Sequence, residues 1–118
     1  MAGNSEVSKE PSRIEQHAEL APALERLWRK FLPEIQERVR IIEEALVALE
    51  SGQLAELQRD QAFQAAHKLA GSLGNFGHQR ASAIASTFES AFEKPTPAPN
   101  YVELQGLLLE LQRTVQTA

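Results

Sequence analysis

Residues 20–52 read LAPALERLWRKFLPEIQERVRIIEEALVALESG. From Leu20 onward, Leu24, Leu27, Trp28, Phe31, Ile35, Val39, Ile42, Leu46 and Leu49 recur at steps of three and four residues. That spacing marks one face of an α-helix, and Ser51-Gly52 ends it. Pro33 lies inside the run, yet the apolar phase continues across it. This predicts a kinked helix, or two abutting helices that share a face. A helix with a single apolar face must bury that face against other elements, so the fold follows from how many such faces come next.

Three more follow. A second helix is expected over about 53–74, with Ala62, Ala66, Leu69 and Leu73 as its stripe and Gly74, Asn75 and Gly77 as its stop. Leu54 and Leu57 are out of phase with that stripe, which places them on a loosely docked first turn or moves the start toward Asp60, a good N-cap type. A third helix is expected over 79–92, with Ala81, Ile84, Ala85, Phe88, Ala91 and Phe92 on one face. Three prolines at alternate positions, Pro95, Pro97 and Pro99, then favour extended backbone and a connecting loop over 93–100. A last helix over 101–117 carries Leu104, Leu108, Leu111 and Val115 inward. Upstream, residues 1–13 are polar and lack apolar periodicity, and read as a flexible leader or linker ahead of a domain over 14–118. The expected fold is all-α: an antiparallel up-down four-helix bundle with an N-terminal helical extension or kinked first helix. Trp28 and Phe31 are expected to close one end of the core. Phe63, Phe76, Phe88 and Phe92 are expected nearer the level of His67.

Composition narrows the function. The chain has 118 residues, room for one core but not for a kinase ATP-binding domain as well. Lysine and arginine total 12 against 16 acidic residues, a net charge of -4, which offers no field for nucleic acid. There is no cysteine, hence no disulfide framework and no thiolate metal site. The start of the chain lacks the apolar core of a signal peptide, and nowhere do eighteen apolar residues run together. A cytoplasmic protein without a membrane segment is the expectation.

The chemistry concentrates at His67, in the run Ala66-His67-Lys68-Leu69-Ala70-Gly71-Ser72-Leu73-Gly74-Asn75-Phe76-Gly77. At about 100° per residue, Gly71 and Gly74 fall within roughly 40° of His67, while the apolar stripe lies roughly 120° away. The histidine therefore flanks the core beside residues with almost no side chain. Glycine inside a helix costs about 1 kcal/mol relative to alanine. Two of them beside one histidine call for a use, such as the close approach of another protein surface.

The pattern H-x-L-x-G from His67 to Gly71, followed by a second glycine six residues on at Gly77, resembles the phosphoacceptor segment of histidine-containing phosphotransfer (HPt) domains. The helix layout from about residue 18 to residue 117 agrees with that family. The resemblance implies that His67 is the phosphoacceptor of a two-component phosphorelay, a carrier without ATP-binding or autokinase activity. It also implies receiver domains of response regulators as partners, with a hybrid histidine kinase as source. The carrier itself would hold no cofactor, and Mg²⁺ would come with the receiver. The family commonly has lysine three residues after the histidine, where this chain has Ala70; Lys68 is the candidate to replace its charge.

Around His67, Gln64, Lys68, Gly71, Gly74 and Asn75 are candidates for docking a partner or supporting the phosphoryl group. Asp60, two turns before the histidine, is expected at the helix start or in solvent. Imidazole is a nucleophile near neutral pH without strong activation. No histidine or carboxylate stands three or four residues after His67 to act as a hydrolytic base. His17 is read as a surface residue and His78 as a turn or capping residue. There is no H-x-x-x-H or E-x-x-H pair, so no metal site is expected. The competing reading is a non-catalytic helical adaptor or dimerisation module. It rests on Leu107-Leu108-Leu109, which cannot all face one core. A monomer is the expectation for a lone carrier.

Overall fold

The protein was analysed as a computed structural model that describes residues 2–94 and 99–116, with side chains from Leu20 onward. It is an all-α four-helix structure: α1 (Ala2–Glu50), α2 (Glu56–Asn75), α3 (Gln79–Glu93) and α4 (Tyr101–Gln116), with no strand among the described residues. The helical span of α1 includes residues 2–13, where the polar composition predicts an irregular leader. Lack of an apolar face removes a reason to pack, not the capacity of Ser, Glu and Lys to adopt helical backbone. Of the expected proline loop, residues 95–98 lie outside the described residues.

The chain divides into two compact units, 1–31 and 32–118. In the second, α1 contributes Leu32, Ile35, Val39, Ile42, Ala45 and Leu46 to the core. The inward residues of α2 to α4 are those the periodicity marks except that Ala65 joins the buried face of α2 and Ala91 of α3 is only half-buried; Phe88, Phe92, Leu69, Leu73, Ile84 and Leu111 are fully buried. Among the described residues no polar or charged side chain is buried, so their core needs no internal hydrogen-bond partners.

Cross-helix bonds fix an antiparallel order. Gln36 Nε2 donates to the Val115 carbonyl (2.7 Å) and Gln112 Nε2 to Glu43 (2.9 Å), while the Tyr101 hydroxyl donates to the Leu49 carbonyl (3.2 Å). Within the part of α1 that belongs to the second unit, the earlier residues thus meet late α4 and the last ones its start. Arg59 on α2 donates to the Phe92 carbonyl at the end of α3 (2.6 Å), and Arg80 at the start of α3 makes two bonds to Glu110 on α4.

Two glycines turn the chain between helices. After α1 the Gln53 amide donates to Ala48 and the Gly52 amide to Leu49; after α2 the His78 amide donates to Leu73 and the Gly77 amide to Gly74. Each is a Schellman cap, and its glycine has φ of +73° (Gly52) or +85° (Gly77). α2 begins at Glu56 behind Ala55, which makes no side-chain cap, so neither residue 53 nor Asp60 is the start. Leu57 is left exposed on its first turn.

One expectation about the core is overturned. Phe31, expected inward, is 40% exposed and Trp28 is half-buried, whereas Leu32, absent from the expected stripe, is buried. Leu32 is one residue, about 100°, around the helix from Phe31. A run with apolar residues at both phases does not say which phase the bundle takes.

Candidate functional site

His67 stands on α2 with its side chain 64% exposed, at the ridge between the faces turned to α1 and α3. The ridge position follows from spacing. Ala62, Ala65, Ala66, Leu69 and Leu73 fill the buried sector of the helix, and His67 lies roughly opposite it. One turn earlier, the Phe63 ring stacks on the imidazole at 6.5 Å between centroids and 19° between planes. From α3, Glu89 places Oε2 3.0 Å from His67 Nδ1.

An ionised carboxylate only accepts hydrogen bonds, so this contact puts the proton on Nδ1 and leaves the lone pair on Nε2. The ring is held by stacking and by one charge-assisted bond, and its free nitrogen is the one away from Glu89. Glu89 is the site residue the sequence reading missed. It lies 22 positions from His67, beyond any spacing rule within one helix, and only the α2–α3 packing brings it near.

The neighbours separate by side. Gln64 and Lys68 line an open groove between α1 and α2 together with Asp60, Arg38 and Arg40. Arg40 is engaged by Glu37 and Glu44, and Arg38 by Glu34 (2.6 Å). Lys68 therefore sits on the α1 flank of His67, about 100° around the helix from it. On the other flank, the Ala70 carbonyl accepts a hydrogen bond from Ser82 Oγ on α3 (2.7 Å).

The two glycines also differ. A Cβ at Gly71 would meet nothing within 4 Å, whereas one at Gly74 would lie 3.4 Å from Ser82 Oγ. Gly71 keeps open space beside the imidazole; Gly74 serves the approach of α3. Asn75 is exposed as the last residue of α2, and the His78 backbone forms the start of α3. No cluster of three or more His, Cys, Asp or Glu capable of holding a metal occurs among the described residues.

The Hpt domain family matches residues 26–117 of the chain. The chain belongs to this family. Hpt domains are phosphocarrier modules that act in histidine phosphotransfer within phosphorelays, and they work with the receiver domains of response regulators. The resemblance drawn from H-x-L-x-G and the helix layout is thereby borne out. No curated protein and no solved structure matches the chain significantly. Among the described residues of this Hpt protein, no helix is long and apolar enough to cross a membrane.

Proposed function

We propose that His67 is the phosphoacceptor and that it relays a phosphoryl group between aspartates of receiver domains. The observation that carries this reading is the exposed imidazole whose Nδ1 is occupied by Glu89. The Nε2 lone pair attacks phosphorus of the aspartyl phosphate in line. The N–P bond forms as the bond from phosphorus to the aspartate oxygen breaks, and the aspartate leaves as a carboxylate. The Nδ1 proton stays on the ring. The positive charge that develops on the imidazole then faces the Glu89 carboxylate, which stabilises it. Transfer to a second aspartate reverses each step.

Gly71 keeps a side chain out of the path of the approaching receiver, and Gln64 and Lys68 offer polar contacts on the α1 flank. The receiver supplies Mg²⁺, a hybrid histidine kinase supplies the phosphoryl group, and the exchange belongs in the cytoplasm. Incubation of wild type and His67→Gln with phosphoramidate, read by intact mass before and after brief acid treatment, tests the assignment. One acid-labile phosphoryl group on wild type and none on the variant is expected. Labelling of a folded His67→Gln protein to the same extent would refute it.

A further inference from the structure

The contact between His67 and Glu89 lies near the surface, where water competes for both partners. A hydrogen bond so placed contributes little unless the groups that make it are already held in register. Two other bonds join the same pair of helices. Ser82 Oγ on α3 donates to the Ala70 carbonyl of α2 (2.7 Å), and Arg59 Nη1 on α2 donates to the Phe92 carbonyl (2.6 Å). Ala70 lies inside α2, so its carbonyl takes Ser82 as a second donor; Phe92 lies in the last turn of α3, where carbonyls run out of donors within their own helix. Along α3, Ser82 precedes Glu89 by seven residues, two turns and within about 20° of the same face, and Phe92 follows it by three. The two bonds therefore flank Glu89, about 10 Å before it and about 5 Å after it along the helix axis. Gly74 admits α3 at the Ser82 end, since a Cβ there would already lie 3.4 Å from Ser82 Oγ.

We propose that Ser82 and Arg59 are positioning residues for the phosphotransfer: they brace α3 against α2 on either side of Glu89 and so keep its carboxylate aimed at Nδ1 of His67. The inference rests on His67 as the phosphoacceptor. Ser82 and Arg59 act on the imidazole through Glu89. When either bond is lost, α3 rocks against α2 and Glu89 spends less time within reach of Nδ1. The ring then loses its preference for a proton on Nδ1, and the Nε2 lone pair is available for a smaller fraction of the time. The positive charge that develops on the ring also meets the carboxylate less often. The buried rings of Phe88 and Phe92 still hold α3 in the core, so the loss disturbs the aim of Glu89 before it disturbs the fold.

Two readouts on the full chain test the bracing. Nitrogen NMR of the His67 ring at about pH 8, above the ordinary imidazole range, reports the tautomer without any phosphoryl donor. The wild type is expected to hold its proton mainly on Nδ1, and Ser82→Ala/Arg59→Gln to shift the balance toward Nε2. The rate of labelling by phosphoramidate is expected to fall about three- to tenfold in the same variant. Ser82→Thr, which keeps the hydroxyl, should restore the wild-type tautomer balance when combined with native Arg59. In a Glu89→Ala background the two substitutions should slow labelling no further, because the group they position is gone. An unchanged tautomer balance in the folded double variant overturns the proposal, and so does a full additional loss of labelling in the Glu89→Ala background. Should the double variant fail to fold, Ser82→Ala alone carries both readouts. A wild type that takes up no phosphoryl group at His67 would refute the phosphoacceptor reading, while the tautomer comparison would still decide whether Ser82 and Arg59 aim Glu89.

Discussion

At the scale of single residues, His67 combines exposure with constraint. Phe63 and Glu89 fix the ring from two directions, so little rotamer freedom remains to be lost when a receiver docks. Glu89→Ala removes both the acceptor and the charge, and the transfer rate from a phosphorylated receiver is expected to fall about ten- to a hundredfold, the worth of a charge-assisted hydrogen bond. Glu89→Gln retains an acceptor for the Nδ1 proton without the charge and should fall between. Rapid-quench transfer kinetics measure this, and a Glu89→Ala protein that transfers as fast as wild type would sink the role given to Glu89. The histidine and the residues on its own helix were legible from the sequence because a 3.6-residue repeat fixes their angular relation. Glu89 was not legible, because nothing in a single chain states which residue of α3 comes level with residue 67.

At the scale of elements, glycine serves two distinct ends. Gly77 has φ of +85° and closes a Schellman cap, so Gly77→Ala forces an L side chain into left-handed backbone. The expected loss of stability is about 1–2 kcal/mol. Gly71 lies in regular helix with open space where a Cβ would go, so Gly71→Ala should stabilise by up to about 1 kcal/mol. Urea denaturation checks both, and equal effects of the same sign would contradict the distinction. Gly71→Leu should leave the urea midpoint near that of Gly71→Ala and slow transfer, because the added side chain stands beside the imidazole.

The α3–α4 contact adds a pH dependence. Hydrogen bonds from Arg80, with the attraction of its charge, hold the Glu110 carboxyl below its ordinary value. A depressed folded-state value means the contribution is present above the unfolded carboxylate range and is lost as pH falls through the folded value. The Tm difference between wild type and Glu110→Gln should therefore be small and positive near neutrality, and shrink as the pH falls below the ordinary carboxylate range. A difference that grows on acidification would reverse the sign of the argument.

At the scale of the whole molecule, one apolar core holds the bundle, and Phe88 lies at its centre with no exposure. Phe88→Ala should cost about 3–5 kcal/mol, enough to unfold much of a marginally stable domain. Leu57→Ala, at a side chain 70% exposed, should change stability by no more than about 0.5 kcal/mol. Comparable urea midpoints for the two variants would contradict this picture of the core. Helix number, the inward residues of α4, those of α3 apart from half-buried Ala91, and the Leu108 position between half-buried Leu107 and exposed Leu109 were all readable in advance. Each depends on periodicity within one element. The exchange of Phe31 for Leu32 at the edge of the core, the turn of Gly74 toward Ser82, and the meeting of Glu89 with His67 were not readable. The sequence by itself determined the helices, their buried faces and the nucleophile, because these follow from local spacing and side-chain chemistry. Only the tertiary structure decided what stands opposite each face, because the rotation and relative height of packed helices are set by side-chain interlocking across the whole core.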